Sequence, residues 1–386
     1  MSSSAPDGLQ PITAVLSAVL LGRIQVGVTR APADVLRIFA ATLVRESLIT
    51  ALRQEGHEFT EQRFFAWFAG LTTLSDPSQA VLRPPKALCQ AILTEFCHSP
   101  WPELVGASQD LLRSFLAPAD ISRGHDHTEA HTIIAEAHSL LAGLPAVDDG
   151  LPFRSARMLF AAAAQTARFA REDRSLDLIA GAAIEREFIG NARWALDILA
   201  GQLLAPRHGL PVALPIPGLI ALPMSQSDPI EPIPSEPHVR DDVVFSALHE
   251  GFSRLDRWLS EAQLAAEHIR AQLHDRRRGG RSLQLAEYLA GFGPMRSRQI
   301  EQLLGASRNG VAVIITALET SLLLVSHKSR NATQMYAYTP ALAASAPDAA
   351  HTAPFASSAS AIAEYDEAMR AIDELLKRAS TSPDSD

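Results

Sequence analysis

The most informative stretch of the chain is SLQLAEYLAGFGPMRSRQIEQLLGASRNGVAVIITALETSLLLVSHKSRNATQMYAY, residues 282–338. Ser282 to Gly291 has the apolar spacing of an amphipathic helix, stopped by Phe292-Gly293-Pro294. Arg296 to Leu304 reads as a second helix ending at Gly305, where a left-handed C-cap suits a residue without Cβ. Ser307 offers a side-chain oxygen to the free N–H groups of a third helix, Arg308 to Thr320. That helix turns Val311, Ile314, Ile315 and Leu318 toward a core. The apolar run Leu322 to Val325, a polar turn His327 to Asn331 and the stretch Thr333 to Tyr338 read as a two-stranded hairpin.

Charge concentrates in the same region. From His268 to Pro340 the chain carries ten Lys and Arg against four acids, a balance of +6, which leaves −15 for the rest of a chain whose net charge is −9. The expectation is a basic module tethered to an acidic body. Helix, helix, glycine turn, helix and ribbon make a winged helix-turn-helix. The short turn after Leu304 sets two helices across each other, so that the later one can enter a DNA major groove. Ser307-Arg308-Asn309-Gly310-Val311, then Ala317-Leu318-Glu319, then Leu322-Leu323-Leu324-Val325 resembles the recognition helix and wing entry of winged-helix bacterial regulators. The resemblance is confined to residues 281–340, and it departs from the pattern at Gly310, inside the first helical turn, and at Val313, where a polar base-reading residue is expected.

On this reading double-stranded DNA is the partner. Arg308 and Asn309, beginning the third helix at its cap Ser307, are the candidates for guanine and adenine edges, with Thr316 a lesser one. Arg296 and Arg298 would meet phosphate, and Lys328 and Arg330 on the wing would reach phosphate or the minor groove. Arg276, Arg277, Arg278 and Arg281 would add sequence-independent attraction.

Upstream, Val244, Leu248, Phe252, Leu255, Leu259, Ala262, Ala266, Ile269 and Leu273 alternate steps of three and four, predicting one long heptad-like helix over 241–274 that starts at Asp241-Asp242. Its stripe fits either its own N-terminal bundle or a second copy. Pro206 to Pro237 holds nine prolines and reads as a stiffened linker, 206–240. Residues 1–205 read as a helical domain, with helices at Ala33 to Gln54, Thr60 to Gly70, Pro85 to Cys97, Trp101 to Leu116, Glu129 to Leu141, Arg154 to Phe169 and Leu176 to Leu204. Residues 341–361 read as a flexible connector. Ile362, Tyr365, Met369, Ile372 and Leu376 predict a short helix within 362–386, whose stretch 362–378 offers a second seam for a homodimer. The fold class is thus mostly α: a helical N-terminal body, a long heptad-like helix and a C-terminal winged helix-turn-helix with a small β-hairpin.

The remaining residues exclude more than they assign. Two cysteines, Cys89 and Cys97, argue against a disulfide framework and a cysteine-rich zinc module, and for a reducing cytoplasm. The apolar run Ile12 to Leu21 is shorter than the roughly twenty residues a membrane crossing needs, so neither export nor a membrane span is expected. His125, His127, His131 and His138 cluster near Asp126 and Glu129, but without an HExxH pattern they read as a polar loop entering a helix, not a metal site. No cofactor is implied. Walker A, GxGxxG and GxSxG patterns are absent, and no residue stands out as nucleophile or base.

The stretch SLITALRQEGHEFT, residues 47–60, resembles the helix before a Glu-Gly turn in proteins related to Fic enzymes. A family carried largely on plasmids in rhizobia and related bacteria joins such a helical region to a C-terminal helix-turn-helix, and the chain is similar to it in that arrangement. The Fic signature itself is absent, so nucleotide transfer is not expected. The resemblances imply a cytoplasmic transcriptional regulator or plasmid-associated factor. Two alternatives stay open: a scaffold whose basic module binds protein, and a ligand-sensing or enzymatic helical body.

Overall fold

The computed structural model describes residues 10–74, 84–119, 128–145, 153–170, 175–179, 182–186, 192–220, 241–273, 280–328 and 333–340. Among these, twelve helices and five short strands alternate along the chain. The centre is α2 (Ala33–Gln54), which buries side chains around most of its circumference, among them Ile38, Phe39, Leu43, Val44, Leu48 and Leu52. A helix apolar on every side needs neighbours on every side. They are α4 (Pro85–Phe96), α5 (Pro102–Arg113), α8 (Trp194–His208), α9 (Asp241–Leu273) and α10 (Gly280–Gly291). The body is completed by α1 (Gln10–Arg30), α3 (Glu61–Phe68), α6 (Glu129–Gly143) and α7 (Arg154–Gln165). Stretch 47–60 closes α2, turns at Gly56 with φ 84°, and reaches Thr60, whose hydroxyl accepts the Arg63 N–H at 3.2 Å to cap α3.

All nine residues of the long-helix stripe are buried. They pack within the chain, on α1, α2 and α10, so the seam that could have served a second copy is occupied. Against α9, α1 runs parallel. The Ser17 hydroxyl lies 3.4 Å from the Phe245 carbonyl, Arg23 pairs with Asp256 at 2.9 Å, and Gly27 lets Leu259 approach where any Cβ would clash at 2.6 Å. The stretch Ile12–Arg30 is long and apolar enough, by length and composition, to cross a membrane. The apolar run alone understated it, because Gly22, Gln25 and Gly27 continue the helix without adding charge.

The predicted single helix from Leu176 to Leu204 is corrected. Ser175–Ile179 (β1) and Ala182–Arg186 (β2) pair antiparallel, Ile179 opposite Ala182 and Ser175 opposite Arg186, and α8 begins only at Trp194. Ser-Leu-Asp-Leu alternates with period two, which a helical count misreads. The first part of the expected linker, 206–220, is corrected as well, while 221–240 lies outside the described residues. Through Pro206, α8 continues to His208 and is capped by Gly209 in the left-handed region. The segment after it lies in the core, with Leu210, Leu214, Ile216, Leu219 and Ile220 buried. Asp197 holds it there by accepting the N–H of Gly218 at 2.9 Å and of Ile220 at 2.8 Å, with the Gln54 amide at 2.8 Å. Burial drives the Asp197 carboxyl up to about 6 against these hydrogen bonds.

In the C-terminal part, α10 is followed by β3 (Met295–Arg296), α11 (Ser297–Leu304), α12 (Arg308–Thr320), β4 (Leu324–Lys328) and β5 (Gln334–Tyr338). The sheet has three strands in the order β3-β5-β4, all antiparallel, where a two-stranded hairpin was expected. Leu322 is not in a strand. It takes φ 55° in the turn after α12, and the strand starts two residues later and runs through His327 and Lys328.

These elements do not form a tethered module: one hydrophobic cluster extends from Ala14 to Tyr336, and residues 1–339 make one compact unit. Phe292 packs among Phe64, Phe65 and Phe68, with ring centroids 4.8–6.3 Å away. The Gly291 carbonyl accepts from Thr42 at 3.2 Å and Arg45 at 3.0 Å. Residues 341–361 and 362–386, with the expected connector and final helix, lie outside the described residues.

Candidate nucleic-acid interface

The helix pair α11 and α12 is positioned from its polar ends inward. The Arg296 N–H donates to Gln299 Oε1 at 3.1 Å, while the buried Gln299 amide donates to the carbonyls of Ser114 at 3.2 Å and Phe68 at 3.5 Å. The start of α11 is thereby fixed to the body. Ile300, Leu303 and Leu304 bury its inner face, and Gly305 ends it at φ 55°, with nothing within 4 Å of where a Cβ would stand. Conformation alone asks for glycine there. The Ser307 oxygen accepts the Gly310 N–H at 3.3 Å and starts α12.

Val311, Ile315 and Leu318 bury the inner face of α12, which packs on α10, α11 and β4. Its outer face carries Arg308, Asn309, Ala312, Val313, Thr316 and Thr320, all exposed, with Val313 71% exposed. The Thr316 hydroxyl donates to the Ala312 carbonyl at 3.0 Å, leaving its methyl and lone pairs outward.

Burial sorts the charges by sign. Among the described residues of 280–340, every charged side chain in the exposed class is a cation: Arg281, Arg298, Arg308 and Lys328. None of the four forms an ion pair among the described residues. Glu301 and Glu319 are half-buried. Glu287 is buried and gives both carboxylate oxygens to Arg37, at 2.6 and 2.7 Å. Burial pushes the Glu287 carboxyl up and its bonds to Arg37 oppose that; on the Arg37 side the hydrogen bond to Glu287 outweighs burial and raises the guanidinium.

Of the residues expected to meet DNA, Arg298, Ser307, Arg308, Asn309 and Thr316 fall on α11, α12 and the turn between them. Arg281 begins α10, and Lys328 ends β4 opposite Gln334. Arg296 is placed differently from expectation. It is half-buried in β3, its Nε is enclosed without a hydrogen-bond partner, and burial, reinforced by the charge of Arg298, lowers its guanidinium. Arg276, Arg277, Arg278 and Arg330 lie outside the described residues. The sequence reading passed over Ala312 and Val313 as contacts, although their phase, between Val311 and Ile314, already put them on the outward face.

Beside α10 a cleft of about 430 Å³ is bounded by Arg37, Glu103, Asp110, Gln284, Glu287 and Tyr288. Apart from Glu103, its polar groups are engaged with one another or with Arg113. The Tyr288 hydroxyl donates to Asp110 Oδ2 at 2.5 Å, the Gln284 amide lies 3.4 Å from the same oxygen, and Arg113 pairs with the other oxygen of Asp110. The cleft therefore reads as a polar clamp of α10 on α2 and α5. In the histidine cluster, His138 Nε2 lies 2.8 Å from Glu95 Oε1 and His131 is exposed, while His125 and His127 lie outside the described residues. Among the described residues no three His, Cys, Asp or Glu side chains are grouped to hold a metal. Comparison with protein-family models and with curated proteins finds no match.

Proposed function

We propose that residues 280–340 are a winged helix-turn-helix that binds double-stranded DNA, and that the protein is a cytoplasmic bacterial transcriptional regulator or plasmid-associated factor. The observation that carries this reading is the exposed outer face of α12, beginning at Arg308, together with the finding that the exposed charged side chains among the described residues of 280–340 are all cations. In this reading α12 enters the major groove. Arg308 reads guanine N7 and O6 and Asn309 reads adenine, both from the first helical turn, where the chain comes deepest into the groove. Val313 and Ala312 supply apolar contact to a thymine methyl group. Arg281, Arg298 and Lys328 neutralise phosphates, joined by Arg330 and Arg276 to Arg278 as the sequence orders them. Ser307 serves as the cap that aims α12.

Phosphate neutralisation releases condensed counterions, so each contact adds about 0.9 to the slope of log affinity against log salt. Duplex binding measured at two salt concentrations therefore gives a steep loss as salt rises. Arg298→Ala shallows the slope by roughly one contact. Arg308→Ala with Asn309→Ala flattens the preference among duplex sequences, and an unchanged preference rejects the base-reading assignment.

A second reading has its own observation. Leu322 and Val325, 63% and 51% exposed, present apolar surface at the corner between α12 and β4, which suits a protein partner. Duplex affinity that is absent, or indifferent to salt, turns the assignment toward that scaffold role.

A further inference from the structure

One helix is apolar on two opposite faces, and among the described residues only one of them is covered. The inward face of α1, Ala14, Ser17, Leu21, Ile24 and Val28, is sealed on the body. The outward face carries Ile12, Val15, Leu16, Val19 and Val26, each 47–61% exposed. These five are more than half of the large apolar side chains exposed among the described residues. A helix apolar all round belongs in an interior or a membrane, and five large exposed apolar side chains on one face stand toward the upper end of the roughly 300–600 Å² that a monomer ordinarily leaves in water.

We infer that this face of α1 is a two-fold interface that joins two copies of the chain through antiparallel α1 helices, Val19 lying on the axis. Self-complementarity is the first argument. A two-fold contact needs knob and hole on the same patch, and α1 has both. Its first half is a ridge of Ile12, Val15, Leu16 and Val19. Its second half borders a groove of about 530 Å³ between α1 and α9, whose apolar wall is Val19, Gly22, Val26, Gly27 and Leu259 and whose polar edge is Arg23, Asp256, Ser260 and Gln263. Turned about Val19, the ridge of each copy falls on the groove of the other. Leu16 then faces Gly22, where the structure leaves open space, and Ile12 faces Val26.

Area and charge agree. An apolar patch at the upper end of that range on each of two copies approaches the roughly 600 Å² per partner at the lower bound for a specific dimer. Among the described residues, the charged side chains of this face and its groove, Arg23 and Asp256, are paired with each other, and Arg23 would stand opposite Val15, so no like charges meet. A lipid surface fits less well. Helices that lie on bilayers carry Lys and Arg along their polar face, whereas α1 has two arginines in twenty-one residues and the chain as a whole is at −9. This interface replaces the long-helix seam, which is buried within the chain, and it does not depend on the DNA reading.

Sedimentation of the full chain at micromolar concentration tests it. Wild type sediments as a dimer, and Leu16→Glu and Val19→Glu each weaken association roughly 100-fold or more. Both positions point outward, so circular dichroism and melting stay those of wild type. With the half-buried Cys97 changed to serine and Cys89 left buried, Val19→Cys alone forms an intermolecular disulfide under mild oxidation. Ile12→Cys forms one only when mixed with Val26→Cys. A monomeric wild type, a dimer that survives both glutamate changes, or a monomer that floats with anionic phospholipid vesicles through this face overturns the inference.

Discussion

Val313 shows how much a single residue's surroundings decide. As a sequence position it interrupts an expected polar reading surface; as an exposed methyl pair on α12 it would, under the proposed DNA reading, give apolar contact to a thymine. Replacing thymine by uracil within the preferred duplex should weaken wild-type binding about fourfold, the worth of one buried carbon at ~0.8 kcal/mol. Val313→Ala should be insensitive to the same replacement, as competition binding would show. Asp197 is the complementary case, a carboxylate deep in the body. Its folded pKa of about 6 stands above the ordinary 3.8, so the folded state holds the proton more tightly than the unfolded one. The stability linked to this group is present below pH 3.8 and is lost as pH rises through about 6. Asp197→Asn should remove that decline, up to about 3 kcal/mol, read as denaturation midpoints across the window. Asp197→Ala strands three donors and should cost about 3 to 5 kcal/mol at low pH, where the carboxyl is protonated, and less above pH 6.

At the level of elements, two glycines at helix ends answer different demands. Gly305 has room for a side chain but sits at φ 55°, so Gly305→Ala should cost about 1 kcal/mol through backbone strain alone. Gly291 lies where α10 crosses α2, and an added Cβ would stand 2.4 Å from the Ile38 carbonyl oxygen and 2.8 Å from Ala41. Gly291→Ala should cost about 3 kcal/mol or more, because backbone cannot yield as a side-chain tip can. Thermal melts of the two variants order them. The C-terminal elements were legible because capping and periodicity are local: Gly305 ends α11 and Ser307 starts α12 in sequence as they do in space. Leu176 to Leu204 was misread because an apolar run of that length satisfies a helical count while its first part alternates as strands.

For the whole molecule, the basic elements share the core of the acidic body. Phe292 and Gln299 bury themselves against α3 and the turn after α5, so residues 280–340 made alone would expose both. That fragment should lack cooperative unfolding and dispersed amide signals, whereas the chain truncated after residue 340 should retain both. A fragment that folds by itself would restore the tethered arrangement. Rigid attachment also has a functional consequence under the proposed reading. A dimer through α1 would fix the spacing of the two α12 helices, and hence of two DNA half-sites, by the bodies and not by a linker.

Sequence alone determined the order of α10, α11 and α12, the inward phase of the α9 stripe and the excess of cations near the carboxyl end. Each of these is written in residues three or four apart, where propensity and capping act. Only the tertiary structure decided that Glu287 is buried on Arg37 while Arg298 and Arg308 face solvent, that 210–220 is core and not spacer, and that α1 keeps an open apolar side. These depend on contacts between residues up to about 250 positions apart, and no local pattern records which of two apolar faces finds a neighbour.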